Sequence, residues 1–475
     1  MVSKTKHFFM VFAIAMASCS SPQTHSNDQG GSTAGTAPKT NFTGAMDEIK
    51  LMTLDPGHFH AALVQKFRYA QVDPTVHIFA PGGEDLKQHL NRIEQFNNRQ
   101  ENPTDWESKL YTGPDFLDKM LREKPGNVMV VSGNNAKKTE YIHKAVNAGI
   151  NVLADKPMII DPDGFLLLKE TYDLAAEKGV LLYDIMTERY EITTMLQKEL
   201  SRQTGLFGEL EKGTPDNPAI SKESVHHFFK YVAGQPLIRP AWFFDVTQQG
   251  EGIVDVSTHL VDLILWECFP EEGIDYKTEI ELISAERWAT PLHPAQFQRV
   301  TGLSDYPDYL KKDIIRDSVL NVYANGAFVF TTRGVHGKVS VTWNYEAPED
   351  AKDTHFSVMR GTKTNLVIRQ DKAQQYQPTL YVEPVKSTGK DHLETALRDA
   401  IDRLSGRFPG LSFKASAGGW EIIIPDEYKV GHEAHFAQVT EKYLQYLVDG
   451  KLPNWEVQNT LTKYYVTTQA YAMSR

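Results

Sequence analysis

Cysteine is nearly absent from this chain. Only Cys19 and Cys268 occur in 475 residues, which excludes a disulfide framework and a cysteine-rich zinc or iron–sulfur centre. Basic residues are outnumbered, 50 Lys and Arg against 61 Asp and Glu, for a net charge of −11. With no cationic surplus to neutralise phosphates, a nucleic-acid partner is not expected. No apolar run reaches the ~18 residues that a membrane-spanning helix needs. The rest is ordinary: 41 % hydrophobic and 23 % charged residues, the composition of a folded protein of two or three domains.

The first 19 residues read as an address. Lys4 and Lys6 precede the apolar stretch Phe8 to Ala17, and Met16-Ala17-Ser18-Cys19 resembles a bacterial lipoprotein processing box. Residues 1–19 are therefore expected to be a lipoprotein signal with lipidation at Cys19. The protein would be exported and held in the cell envelope only through acyl chains. Residues 20–45 are rich in Ser, Thr, Gly and Asn, too poor in apolar surface to offset ordering entropy, and are expected to be a tether. With Cys19 acylated, Cys268 is left as a small apolar residue.

From Ile49 short apolar runs alternate with helical patterns. Strands are expected at 49–54, 76–79, 128–131, 151–154 and 180–183, with helices at 59–69, up to Ala148, and at 164–178. Such alternation implies a parallel sheet with right-handed crossovers. Beyond Phe207 longer alternating runs appear at 224–231, 279–288, 319–322, 327–333, 338–345 and 366–369, with helices at 253–266, 433–447 and 458–472. The fold class expected is an α/β Rossmann-type nucleotide-binding domain over 46–190, then an α+β domain over 191–475 with a largely antiparallel open sheet.

Two motifs stand where such folds bind ligands. Asp155-Lys156-Pro157 follows a buried strand, and Gly250-Glu-Gly252-Ile-Val-Asp255-Val-Ser-Thr-His259-Leu-Val-Asp262 opens a helix of the second half. With Ala148-Gly149, Glu188-Arg189-Tyr190 and Pro240-Ala-Trp242, these resemble the glucose-fructose oxidoreductase/inositol dehydrogenase (Gfo/Idh/MocA) family, in a Bacteroidetes-type exported branch with a C-terminal extension. The family has Gly-x-Gly-x-x-Gly where this chain has Asp55-Pro56-Gly57-His58-Phe59-His60. Only the glycine that admits the pyrophosphate survives. After the second strand come Phe79-Ala80-Pro81-Gly82, with Glu84 and Asp85 left to meet the ribose hydroxyls.

The resemblance implies a tightly bound NAD or NADP, NAD mildly preferred, touching Gly57, His58, Phe59, Ala80, Asn134, Asn135, Asp155 and Lys156. It implies that His259 takes the hydroxyl proton of a secondary alcohol while hydride leaves for the nicotinamide. Asp255 would hold the substrate hydroxyl or orient the imidazole, and Lys156 would stabilise a developing alkoxide. On a helix Asp255 and His259 would share one face, about 5–6 Å apart at Cβ. Arg189, His226, Arg239 and Trp242 are candidate substrate contacts. The expected partner is a carbohydrate or polyol; a homo-oligomer is left open.

The reading expected is an NAD(P)-dependent oxidoreductase acting on a CH–OH group of a sugar, glycoside or polyol. One alternative is a nicotinamide-dependent glycosidase or lyase that oxidises the sugar transiently, and another is a non-catalytic carbohydrate-binding lipoprotein. His58-Phe59-His60 also resembles the paired histidines of metal-dependent amidohydrolase barrels. That reading needs further ligands at later strands of an eight-fold barrel, which the strand pattern does not supply, so no metal site is expected.

Overall fold

The computed structural model describes residues 42–475, apart from 233–234, 317, 349–350 and 386–388. The signal, Cys19 and nearly all of the expected tether lie outside the described residues. Among them no helix is long and apolar enough to cross a membrane.

The first half alternates as its sequence pattern demands: β1 (Leu51–Leu54), α1 (His60–Leu63), β2 (Thr75–Ala80), α2 (Glu84–Asn98), β3 (Glu107–Thr112), α3 (Phe116–Glu123), β4 (Val128–Val131), α4 (Lys138–Asn147), β5 (Asn151–Asp155), α5 (Gly164–Lys178) and β6 (Leu182–Ile185). The six strands are parallel in the order β3-β2-β1-β4-β5-β6. The order reverses between β1 and β4, and the carboxyl ends of those strands open the crevice where such sheets take ligands. Gly179 closes α5 in the left-handed conformation, φ 66°.

After α6 (Ile192–Ser201) comes the second sheet, β7 (Ile220–Phe229), a ribbon of β8 (Tyr231–Val232) and β9 (Gln235–Pro236), α7 (Val246–Gln249), α8 (Ser257–Cys268), β10 (Ile280–Leu292) and α9 (Pro294–Thr301). It continues through β11 (Ile314–Ile315), β12 (Val319–Thr332), β13 (Val335–Glu346), β14 (Thr354–Arg360), β15 (Thr364–Gln370), β16 (Thr379–Pro384), α10 (Lys390–Leu404), β17 (Ser412–Ser416) and β18 (Gly419–Ile423). The order is β10-β12-β13-β7-β14-β15-β16-β18-β17, with β11 on β12; only β13 and β7 pair parallel. The chain ends in α11 (His432–Asp449) and α12 (Asn454–Met473). Phe436, Val439 and Tyr443 of α11 pack into the apolar cluster on one face of the first sheet. Tyr464 of α12 enters the cluster on the other face, while Val466 and Ala470 join the second core.

The expected elements had no counterpart for α2, α3, α6, α9, α10, β14, β16, β17 or β18, and other local expectations needed correction too. The helix expected over 59–69 lasts only four residues, because i to i−3 bonds from Gln65 and Lys66 tighten and end it. Strand β3 was missed, being an edge strand with mostly exposed side chains. The runs 319–322 and 327–333 are one strand. The helix expected from 253 starts at Ser257: Gly250 has φ 94°, and a Cβ on Gly252 would overlap the Ala324 carbonyl, so that stretch is a packed turn.

Candidate active site

Four chain segments meet at the crevice: the loop after β1, the loop after β4, the end of β5, and the turn into α8. The first is a tight turn in which Gly57 N–H donates to the Asp55 carbonyl at 2.8 Å. Asp55, standing where the family fingerprint has its first glycine, adopts φ 46°, the left-handed conformation that Asp tolerates better than most residues. Gly57 is hemmed in, since a Cβ there would lie 3.2 Å from both Asp85 Oδ2 and Trp242 Cζ2. In the β4 loop, a Cβ on Gly133 would overlap the Asp55 carbonyl, so that glycine lets the two loops cross.

At the end of β5, Asp155 and Lys156 point to different partners. Asp155 Oδ2 lies 3.0 Å from His60 Nδ1 and accepts from Ser132 Oγ at 2.8 Å, with His58 Nδ1 at 3.7 Å. Burial pushes this carboxyl up, but His60, Lys138 and His58 outweigh it and hold it well below the usual range. Lys156 Nζ donates to Asp255 Oδ1 at 2.6 Å. Burial disfavours the ammonium, yet Asp255 and then Asp155 raise its pKa above that of an ordinary lysine.

His259 sits in the first turn of α8. Its Nδ1 is buried with no hydrogen-bond partner among the described residues. Burial first, then the Lys156 charge, push its pKa well below 6.5, so the ring is neutral at physiological pH. Asp255 lies in the turn before α8. It does not hold the imidazole: Oδ2 accepts from Gln249 Nε2 at 3.1 Å while Oδ1 takes Lys156.

The remaining expected site residues divide. Phe59 serves as N-cap of α1, and Ala80 is buried at the end of β2. Asn134 donates to Gln248 Oε1 at 2.6 Å and Asn135 to the Gln249 carbonyl at 2.7 Å, so both dock α7; Asn135 Oδ1 is left unpaired. Trp242 lies against the glycine turn, donating to Asp85 Oδ2 at 2.9 Å. Arg189 is spent on a buried ion cluster with Asp262 at 2.6 Å and Glu456 at 2.9 Å. His226 stacks on Trp343 with both ring nitrogens engaged, by Ser224 at 2.6 Å and Asp353 at 3.5 Å. Arg239 donates to the Phe228 carbonyl at 2.9 Å and lies over Phe243 and Trp343. Short-range sequence patterns did not reveal His432, whose ring centre is 5.0 Å from that of His60, or the aromatic wall of Phe228, Phe243 and Trp343.

A cleft runs past Gly57, between Asp85, Arg92 and Arg239. A shallow hollow walled by Phe228, Phe243 and Trp343 has Asp255 in its lining. The residues present fit a dinucleotide: a crevice at the strand-order reversal, a glycine turn open to a pyrophosphate, two guanidinium groups, and an unpaired Asn135 oxygen. Against it stand two carboxyls, Asp55 and Asp85, each pushed up chiefly by burial, Asp55 to about 6 with Asp85 adding to the rise.

Comparison with known proteins agrees with this geometry. Residues 57–184 match the oxidoreductase family with an NAD-binding Rossmann fold (Gfo/Idh/MocA), and residues 196–475 match the family described as "putative oxidoreductase C terminal domain". A crystal structure of a protein from Parabacteroides merdae, described as a "putative oxidoreductase", is 57 % identical. It covers 91 % of this chain and 99 % of its own, with a TM-score of 0.90. The chain belongs to the Gfo/Idh/MocA oxidoreductases.

As a Gfo/Idh/MocA oxidoreductase the protein is an enzyme, and its cofactor is NAD(P). The 3-ketoreductase KijD10 of Actinomadura kijaniata, solved with NADP and TDP-benzene, is 15 % identical over 90 % of this chain and 98 % of its own, with a TM-score of 0.54; the likeness is one of fold. An uncharacterized oxidoreductase of Schizosaccharomyces pombe, C115.03, is 26 % identical over 225 residues, 46 % of this chain. The chain spans about half the length of that curated relative and about a third of a second one, C26H5.09c.

Proposed function

We propose that this Gfo/Idh/MocA oxidoreductase moves hydride between a nicotinamide and a secondary hydroxyl-bearing carbon of a sugar, glycoside or polyol. The observation that carries the reading is the Lys156–Asp255 pair, 2.6 Å apart, beside a neutral His259 whose buried Nδ1 is unpaired. A nicotinamide bound at the crevice supplies the hydride acceptor or donor. The His259 imidazole takes the hydroxyl proton as hydride leaves the carbon, and returns it in the reverse direction. Lys156, kept charged by Asp255, donates a hydrogen bond to the oxygen as it gains negative charge. Asp255 acts through the lysine rather than through the imidazole. The aromatic hollow beside Asp255 favours a ring with an apolar face and polar edges, the character of a pyranose. Export and lipid anchoring through Cys19 form part of the same proposal and rest on the leader-like sequence alone.

The test is to incubate the purified chain with NAD⁺ or NADP⁺ and a panel of glycosides and polyols, following the absorbance of the reduced cofactor. Reduction with at least one secondary alcohol is expected. A flat response across the panel, from protein shown by mass spectrometry to hold the dinucleotide, would overturn the reading.

A further inference from the structure

We infer that His58, His60 and Asp155 form a binding site for one divalent transition-metal ion of the zinc type, an assignment that does not depend on the hydride reaction. One ligand atom from each of the three lies within 4.8 Å of the others. Asp155 Oδ2 is 3.0 Å from His60 Nδ1 and 3.7 Å from His58 Nδ1. Ligand atoms around a tetrahedral zinc, with bonds of ~2.0–2.1 Å, stand ~3.3 Å apart, so the observed spacings bracket that value.

Hydrogen bonding points the same way. His60 N–H donates to His58 Nδ1 at 3.4 Å, which makes that nitrogen an acceptor. Its single lone pair is engaged only by that long bond, so an ion seated between it and the Asp155 carboxylate, 3.7 Å away, displaces one weak contact. The ring planes of His58 and His60 are perpendicular, with centres 4.1 Å apart.

The scaffold is suited to holding ligands still. Asp155 ends the buried interior strand β5, and the histidines lie in the turn from β1 into α1. Ser132 Oγ, donating to Asp155 Oδ2 at 2.8 Å, supplies an outer-shell bond of the kind that orients ligating carboxylates. With three protein ligands the fourth position is left for water or a substrate oxygen, as in catalytic zinc sites. The donor set selects the ion: a single carboxylate is a poor set for Ca²⁺ or Mg²⁺, whereas two imidazoles suit Zn²⁺ or Co²⁺.

The test is metal retention by the full chain. Protein stripped with a chelator is equilibrated with Zn²⁺, Co²⁺ or Mg²⁺, desalted and analysed for bound metal. One Zn²⁺ or Co²⁺ per chain and no Mg²⁺ are expected, with Co²⁺ giving the visible ligand-field bands of a low-coordinate site. His58→Ala and Asp155→Asn should each weaken binding by more than the ~10–100-fold expected of Ser132→Ala, which removes only the outer-shell bond. Circular dichroism reports whether each variant is folded; should Asp155→Asn unfold, the half-exposed His58 position decides. Failure of the wild-type chain to retain either ion would overturn the inference, and so would undiminished retention by folded His58→Ala.

Discussion

Lys156 Nζ and Asp255 Oδ1 stand 2.6 Å apart, joining the end of strand β5 to the turn that opens α8. Both side chains are nearly buried, 12 % and 7 % exposed. A charge pair so withdrawn from water gives little net stability while intact, but losing one partner leaves the other uncompensated.

Lys156→Met should therefore be costly in two separable ways. Turnover is expected to fall by about 10²–10³, the loss seen when a donor to a developing oxyanion is removed. Unfolding free energy should fall by about 3–5 kcal/mol, because Asp255 is stranded. Asp255→Asn should lower turnover less, since the lysine remains. Steady-state kinetics and denaturant melts on both variants check this; equal turnover losses would assign Asp255 a direct contact with substrate.

Arg189 offers the contrasting case. It was a candidate substrate contact, but its guanidinium binds Asp262 and Glu456, and Lys463 Nζ adds to the same Asp262 at 3.0 Å. The cluster ties α8 to α12. Arg189→Met should cost about 3–5 kcal/mol of stability through the unpaired acids, with KM unchanged in whatever protein remains folded. A raised KM in a variant of wild-type stability would restore the substrate role.

His259 is separable by its pH profile. As a base it works in the neutral form, and its pKa is pushed below 6.5. Activity limited by His259 should therefore stay flat down through neutrality and fall only in acid. His259→Gln should lower kcat by about 10²–10⁴ and abolish that acid limb. Retention of the limb in the variant would assign it to another group.

The sequence made the sheet strands legible where burial on both faces leaves continuous apolar runs, as in Val128–Val131. It also singled out Lys156, Asp255 and His259 by short-range signatures at a strand end or helix start, and the fold brings Lys156 and Asp255 to 2.6 Å. It could not show what Trp242, Arg189 and His226 touch. Those partners, Asp85, Glu456 and Asp353, come from distant parts of the chain, and only the folded topology brings them together. The sequence reading expected no metal site, and the grouping of His58, His60 and Asp155 is not legible there: the histidines are local, but Asp155 joins them only once β5 lies beside β4.

Asp55 provides a stability test with a definite sign. Its carboxyl, buried and facing Asp85, has a pKa raised to about 6, against ~3.9 in the unfolded chain. Below ~3.9 both states are protonated and the group is neutral to stability. Between about 3.9 and 6 the folded state binds the extra proton, so stability rises as pH falls through this window. Above 6 the fold carries an unfavourable buried carboxylate at a cost of about 3 kcal/mol. Asp55→Asn keeps the shape and suits the left-handed backbone at φ 46°. It should be more stable than wild type by about 1–3 kcal/mol at pH 7 and indistinguishable near pH 3.5. With one negative charge fewer beside the glycine turn, it should also bind the dinucleotide more tightly. Denaturant melts at the two pH values, with a nucleotide titration at pH 7, decide the matter: a variant less stable at pH 7 would mean that the Tyr141 hydroxyl, 3.4 Å from Asp55 Oδ2, makes the ionised carboxylate a net support of the turn.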